Sequence, residues 1–107
     1  MKKLILTGLI SLSLMQSASA TEWINVSNVG DLHWQLYAND SKVWLRNLHQ
    51  FDTQALGCCY NYHIDLSTET GRAIWAVFLM KYASKQPLIL GVAQKSQLGH
   101  ISALGNW

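Results

Sequence analysis

The sequence has few of the features that are typical of a multidomain chain with linkers or of a nucleic-acid-binding protein. It contains one proline, Pro87, and only 13% of its residues are charged. No repeat, proline-rich linker or low-complexity segment follows residue 20. Without a clustered basic stripe, the chain has no surface that could neutralise a phosphate backbone. These absences exclude a multidomain chain with linkers and argue against a nucleic-acid-binding protein.

The sequence also lacks the short motifs that carry chemistry. It has no G-x-S-x-G elbow, no H-E-x-x-H and no glycine loop that could hold a phosphate. The four histidines are scattered over His33, His49, His63 and His100. His63 and Asp65 fall on one face of a predicted strand. Such a pair could act as an acid and a base, but it is more often part of a sheet face that is exposed to solvent. We therefore predict a protein that is not an enzyme and needs no cofactor.

The two cysteines, Cys58 and Cys59, are adjacent, so they cannot link distant segments of one chain. Three states stay open: a strained disulfide between neighbours, an intermolecular disulfide, or two buried thiols. A cysteine nucleophile paired with His63 is a fourth, chemical alternative, but no neighbour visibly lowers the thiol pKa. His63 does not complete four ligands at structural-zinc spacing, so we predict no metal site.

The N-terminus has the three parts of a secretory signal peptide in the right order. Lys2 and Lys3 are positive, and residues 18–20 (Ala-Ser-Ala) form a cleavage site before Thr21. Between them, residues 4–15 are apolar or small apart from Thr7, Ser11 and Ser13. The apolar stretch is shorter than the roughly 20 residues that span a bilayer. We predict cleavage of residues 1–20 and export to the periplasm or beyond, with no membrane span in the mature chain.

Removing the signal changes the charge of the chain. Of the eight basic residues, Lys2 and Lys3 are lost, which leaves the basic residues equal in number to the six acidic ones. Residues 21–107 are long enough for one small domain of marginal stability. Near-zero net charge also weakens repulsion between copies, which permits self-association.

The remaining sequence alternates between apolar and polar residues, which is typical of half-buried strands. Ser67 fits a helix N-cap, Glu69 favours the first turn, and Pro87 ends the helical region. The predicted strands cover residues 23–29, 32–37, 43–46, 60–65, 88–93 and 100–104, and the predicted helix covers 68–84. In the fourth strand, Tyr60 shares a face with the apolar residues Tyr62 and Ile64. This order predicts an α+β fold of mostly antiparallel strands, either an OB-like, partly open barrel or a small sheet, with one helix.

Residues 73–80, at the centre of the predicted helix, include no polar side chain. A helix that is apolar all round is covered on more than one side. One side is expected to pack on the sheet of the same domain. We predict that the other side contacts a second copy of the chain or a partner protein.

Five tryptophans remain after cleavage, and aromatic and amide side chains alternate outward along the predicted strands. Such surfaces stack on sugar rings and form hydrogen bonds with hydroxyl groups. The alternative is a small twisted sheet that simply has aromatic residues on both faces. The candidate ligand-binding residues are Trp23, Asn25, Gln35, Tyr37 and Trp44.

Three segments carry a resemblance to a known family: residues 60–66 (YNYHIDL), 70–79 (TGRAIWAVFL) and 87–90 (PLIL). A strand that ends in Asp-Leu, a Gly-Arg-Ala helix and a following strand resemble the B subunits of subtilase-cytotoxin and pertussis-like toxins. The resemblance implies an OB-like barrel and, for the toxin members, a pentameric ring that binds cell-surface glycans. It implies no catalysis. The family's late-hairpin cysteine has no counterpart in residues 94–97, so its stapling disulfide is not expected here.

Together, these features predict an exported, non-enzymatic binding domain that resembles a glycan-binding B subunit. The alternative is a periplasmic inhibitor or accessory protein that binds another protein.

Overall fold

The computed structural model describes residues 20–107, and residues 1–19, which hold most of the predicted signal peptide, lie outside them. Seven strands and one α-helix follow one another in the described part of the chain. They are β1 (Glu22–Val26), β2 (Trp34–Tyr37), β3 (Lys42–Leu45), β4 (Tyr62–Asp65), α1 (Glu69–Ser84), β5 (Leu88–Val92), β6 (Gly99–His100) and β7 (Ala103–Gly105). Two short 3₁₀ helices, Val29–Asp31 and Leu48–Gln50, flank the hairpin of β2 and β3.

The strands form two sheets, which confirms the predicted α+β class. One sheet has the order β1-β5-β7 and is antiparallel throughout. The other has the order β2-β3-β4-β6, in which only the β4–β6 pair is parallel. The described strands do not close into a barrel.

The end of the chain differs from the prediction of one strand over residues 100–104. That segment is divided between β6 and β7, which belong to different sheets. At the crossing, the Ile101 N–H donates to the His63 carbonyl (2.7 Å) and the Ser102 N–H donates to the Gly91 carbonyl (2.9 Å). The predicted hairpin turn at residues 94–99 therefore joins strands that are not neighbours. The N–H groups of Ile101 and Ser102 donate to different sheets, because each lies beside the edge of a strand whose carbonyl can accept a hydrogen bond.

The core lies between the two sheets and α1, and it follows the predicted alternation. Residues two apart along a strand point to the same face, so buried side chains alternate along β1, β3 and β4. An exception is β2, where Leu36 was predicted to face inward but is exposed. The fully buried side chains include Ile24, Val26, Val43, Leu45, Tyr62, Ile64, Leu88, Leu90 and Phe78. The side chains between them face outward, so each sheet has one face that the core does not cover.

Helix α1 begins one residue later than its predicted start, with a different N-cap. Thr68 is the N-cap, and its hydroxyl accepts from the Gly71 N–H (2.9 Å). The predicted cap, Ser67, instead donates its backbone N–H and its hydroxyl to the Asp65 carboxylate (2.9 and 2.6 Å). Asp65, which ends β4, thus holds Ser67 in a local turn, and Thr68, the next residue with a hydroxyl, caps the helix instead.

Gly71 allows the first turn of α1 to sit against the end of β4. A β carbon at this position would overlap the Asp65 backbone carbonyl. The glycine of the Gly-Arg-Ala segment is therefore required by a close backbone approach. The helix ends at Ser84, and Lys85 follows in the left-handed conformation (φ 56°).

The domain covers one side of α1. Ile74 and Phe78 are buried, and Trp75 lies edge-to-face against Trp34 with ring centroids 5.1 Å apart. The opposite side exposes Leu79, Met80 and the helix alanines 73, 76 and 83. Among the residues described, no helix combines the length and apolar character needed to cross a membrane.

Candidate functional site

The outer face of the four-stranded sheet carries a straight row of side chains across all four strands. Gln35 on β2 is the direct partner of Trp44 on β3, and Trp44 is the partner of His63 on β4. His63 in turn pairs with His100 on β6. Directly opposed residues project to the same face of a sheet, so the register sets these four side chains side by side.

Tyr60, just before β4, joins this row from the side. Its hydroxyl donates to the Gln35 side-chain oxygen (2.6 Å), and the Tyr37 hydroxyl donates to the Tyr60 hydroxyl (3.4 Å). Both tyrosine rings are exposed, at 39% for Tyr37 and 43% for Tyr60. We call the group Gln35, Tyr37, Trp44, Tyr60 and His63 the aromatic platform.

Trp44 is the half-buried centre of the aromatic platform. Its ring lies 4.9 Å from the His63 ring and 6.2 Å from the Tyr60 ring, the latter edge-to-face. Its indole N–H donates to the Asp40 carboxylate (3.3 Å), and the Lys42 ammonium lies 5.8 Å from the ring centroid. These contacts fix the indole, and its own polar group is already satisfied.

Arg46 borders the platform on the side of Tyr60. Its guanidinium carbon lies 5.2 Å from the centroid of the Tyr60 ring, within cation–π range. The one ion pair found in residues 20–107 joins Lys95 to Asp52, so no carboxylate in that range neutralises Arg46. The guanidinium keeps donors that can reach a ligand placed beside Tyr60.

Asn47, which is buried, holds the two ends of the β2–β3 hairpin together. Its side-chain oxygen accepts from the His33 N–H (2.7 Å), and its side-chain nitrogen donates to the Asp31 carbonyl (3.1 Å). The same nitrogen donates to the Gln50 side chain (3.0 Å). A buried amide with all these partners fixes where β2 begins and β3 ends, and thereby helps to position the platform residues that these strands carry.

Burial lowers the pKa of His63, and the nearby Lys42 ammonium acts in the same direction. The Asp65 and Asp40 carboxylates oppose this shift, while His100 adds to it. The Nδ1 atom of His63 is buried and has no hydrogen-bond partner in the described residues. His63 therefore favours its neutral form within the platform.

The tyrosine pair shows a related effect. The hydrogen bond to Tyr60 raises the pKa of the Tyr37 hydroxyl, with burial as a second cause. The Tyr37 hydroxyl therefore stays protonated at neutral pH, as its hydrogen bond to Tyr60 requires. The platform thus offers neutral hydrogen-bonding groups at its centre and cations at its rim.

The structure does not bring together the acid–base pair considered from the sequence. The Asp65 carboxylate is engaged by Ser67, whose two hydrogen bonds lower the pKa of Asp65. His63 makes no hydrogen bond to it in the described part of the chain. The two residues share the outer face but lie in different cross-strand rows, since Asp65 pairs with Lys42.

Cys58 and Cys59 are joined to each other by a disulfide in the loop that precedes Tyr60. Neither cysteine is a free thiol in this structure. Asn61, which follows Tyr60, donates its side-chain N–H to the Gly57 carbonyl and closes the loop. No cluster of three metal-binding side chains occurs among residues 20–107.

Two of the five predicted ligand-binding residues lie elsewhere. Trp23 and Asn25 are on β1, and they face outward from the three-stranded sheet. The Trp23 ring lies against the backbone of Gly91, where a β carbon would come within 2.8 Å of it. It also contacts Trp107 edge-to-face, with ring centroids 4.9 Å apart. The predicted set therefore belongs to two surfaces, and Gln35, Tyr37 and Trp44 share one of them.

Sequence reasoning missed the role of Tyr60. Alternation with Tyr62 and Ile64 assigned it to the inner face, but β4 begins only at Tyr62. Tyr60 lies in the preceding bend and turns outward. Its position after two cysteines in a turn-rich segment was the one signal that the strand pattern had not yet begun.

The chain matches no protein-family model, and neither a curated protein nor a solved structure is significantly similar to it.

Proposed function

We propose that this protein is an exported, non-enzymatic binding domain that recognises carbohydrate through the aromatic platform. The observation that carries the proposal is the exposed pair Tyr37 and Tyr60, linked to the Gln35 amide by two hydrogen bonds. Two fixed rings beside an amide provide a stacking surface and directed hydrogen bonds in one place.

The chemistry of a sugar ring fits this arrangement. One face of a pyranose is apolar and packs on an aromatic ring, while its hydroxyl groups need donors and acceptors at the edge. The Gln35 oxygen is used by Tyr60, and its side-chain nitrogen remains for a ligand. Arg46 adds donors at the rim. Rigid side chains also reduce the entropy lost on binding.

The predicted signal peptide and the resemblance to toxin B subunits support the same function. Exported proteins meet glycans on cell surfaces, and the resembling subunits bind them. A pentameric ring is part of what the resemblance implies, and it belongs to this proposal. The engagement of Asp65 by Ser67 supports binding rather than acid–base catalysis.

A glycan array with the purified exported protein tests the proposal, followed by titration calorimetry on the best ligand. Tyr60→Ala removes a stacking ring and the hydrogen bond to Gln35. Losing stacking alone costs about 0.5–1.5 kcal/mol, so we expect the affinity to fall at least about two- to tenfold.

Leu36→Ala is the matched control, since Leu36 lies between Gln35 and Tyr37 on the opposite face of β2. It should bind as the unchanged protein does. An array without any bound glycan, or a Tyr60→Ala protein with unchanged affinity, would contradict glycan binding at the platform.

A second candidate function is an inhibitor or accessory protein that binds another protein through α1. Leu79 and Met80 favour it, because these large apolar side chains are adjacent and exposed at 39% and 64%. A photo-crosslinking amino acid at position 80, introduced in the exported protein, should then give one stoichiometric adduct. The same probe at Leu98, which is exposed on the β5–β6 turn, serves as control.

An adduct between two copies of the chain would assign the outer face of α1 to self-association. Equal, diffuse labelling from positions 80 and 98 would contradict a docking face on the helix. Glycan binding and protein binding are thus separated, because the platform and the outer face of α1 share no residue.

A further inference from the structure

A groove runs beside the outer face of the three-stranded sheet, away from the aromatic platform. It lies between the end of β1, the start of β5, the loop after Leu48–Gln50 and the C-terminus. Its lining includes Trp107 and the apolar residues Phe51, Pro87 and Ile89. We call this feature the amide groove, after the side chains at its edge.

Three side-chain amides converge on the amide groove from separate elements: Asn25, Gln50 and Asn106. Within residues 20–107, the side chains of Asn25 and Asn106 make no hydrogen bond. Gln50 uses only its oxygen, which accepts from Asn47 (3.0 Å). Asn25 and Asn106 each offer two donors and an acceptor, and Gln50 offers two donors, so the groove is lined with unused groups of both kinds.

The indole of Trp107 is held beside these amides by a glycine. A β carbon at Gly105 would overlap the Trp107 ring, so the ring lies directly on the strand backbone. Trp23 holds it from the side through the edge-to-face contact. These two contacts hold the indole in place. Trp107 is nevertheless 75% exposed, so much of the ring stays open to solvent.

The groove has no charged side chain among its lining residues. The platform differs, because Arg46 and Lys42 stand at its rim. The lining side chains therefore offer a charged ligand no ion-pair partner. The combination of an open indole, apolar lining residues and unpaired amides fits an uncharged ring with many hydroxyl groups.

We propose that the amide groove is a second carbohydrate-binding site, which takes a neutral pyranose stacked on Trp107 with its hydroxyls bound by Asn25 and Asn106. The site is independent of the platform, because the two surfaces belong to different sheets and share no residue. A glycan that reaches both sites at once would be bound more tightly than by either site alone.

Titration with neutral tetrasaccharides of glucose and of N-acetylglucosamine, followed by ¹H–¹⁵N NMR, tests the proposal. We expect saturable shifts of the Trp107 indole N–H and of the Asn25 and Asn106 side-chain amides. Trp107→Ala should weaken this binding at least tenfold. Tyr60→Ala should leave it unchanged, because Tyr60 lies on the other sheet.

Asn25→Asp and Asn106→Asp preserve side-chain size while removing a donor, so they keep the test valid if Trp107→Ala unfolds the protein. Each should weaken binding severalfold with an unchanged spectrum elsewhere. The proposal is overturned if no saccharide shifts these resonances at concentrations up to about 10 mM, because a Kd above that value is too weak for a useful binding site. It is also overturned if a proline-rich peptide shifts them and the saccharides do not.

Discussion

The Tyr62 hydroxyl, inside the core, bridges two parts of the chain that are far apart in sequence. It donates to the backbone carbonyl of Lys95, 33 residues later, and accepts from the Leu56 N–H (2.8 Å). The Lys95 side chain also pairs with Asp52 (2.6 Å), and its backbone N–H donates to Glu22 (2.6 Å). One phenol and one turn residue thus tie β1, β4 and the loop before β4 together.

We expect Tyr62→Phe to lower the free energy of unfolding by about 1–3 kcal/mol, the cost of leaving buried polar groups unpaired. Urea unfolding measures this change. Tyr82→Phe is the control, because the Tyr82 hydroxyl makes no hydrogen bond within the described residues. Equal stability of the two variants would show that the bridge contributes nothing.

Acidification is expected to destabilise the fold through His63. Burial lowers its pKa in the folded state, and Lys42 acts in the same direction, so the unfolded chain takes up the proton first. The free energy of unfolding therefore falls as the pH drops below about 6.5 and levels off below the folded pKa. Urea midpoints across this range measure the effect.

His63→Gln should remove this part of the pH dependence, while His33→Gln should keep it, because His33 is an exposed histidine outside the platform. An NMR titration that finds the folded pKa of His63 above that of a free histidine would reverse the sign and refute the prediction.

Gly71→Ala is expected to destabilise the protein even though alanine favours a helix. The added β carbon would overlap the Asp65 carbonyl, which is backbone and cannot rotate away. Overpacking of this kind costs about 1–3 kcal/mol. Gly57→Ala is the matched control, since no atom lies within 4 Å of its added β carbon. Thermal unfolding of both variants decides the point.

Replacing both cysteines by serine is expected to change stability little. Cys58 and Cys59 are adjacent, so their bond closes no loop of the chain between distant residues. The stabilisation by a disulfide grows with the loop that it closes, and here that contribution is minimal. A fall in Tm comparable to that of Tyr62→Phe, measured by calorimetry, would contradict this expectation.

Much of the local structure followed from the sequence. Ile24 and Val26, or Val43 and Leu45, lie inward as their alternation predicted, because successive side chains on a strand must point to opposite faces. The extent of α1 was right to within one residue. Its cap was wrong, because the competition between Thr68 and Ser67 was decided by the Asp65 carboxylate.

The candidate site was only partly predictable for the same reason. The sequence indicated which side chains face outward but not which strands are neighbours. Gln35, Trp44 and His63 come together only through the pairing of β2, β3 and β4. Trp23 was likewise predicted to face outward, and it does, but it lies on the other sheet.

By itself, then, the sequence determined the α+β class, the inward and outward faces of most strands and the helix, because these depend on neighbouring residues. Only the tertiary structure decided that residues 100–104 divide between two sheets, that Tyr60 turns outward and that five candidate residues form two surfaces. Strand pairing depends on long-range competition for open backbone edges, and no local pattern of residues records the outcome of that competition.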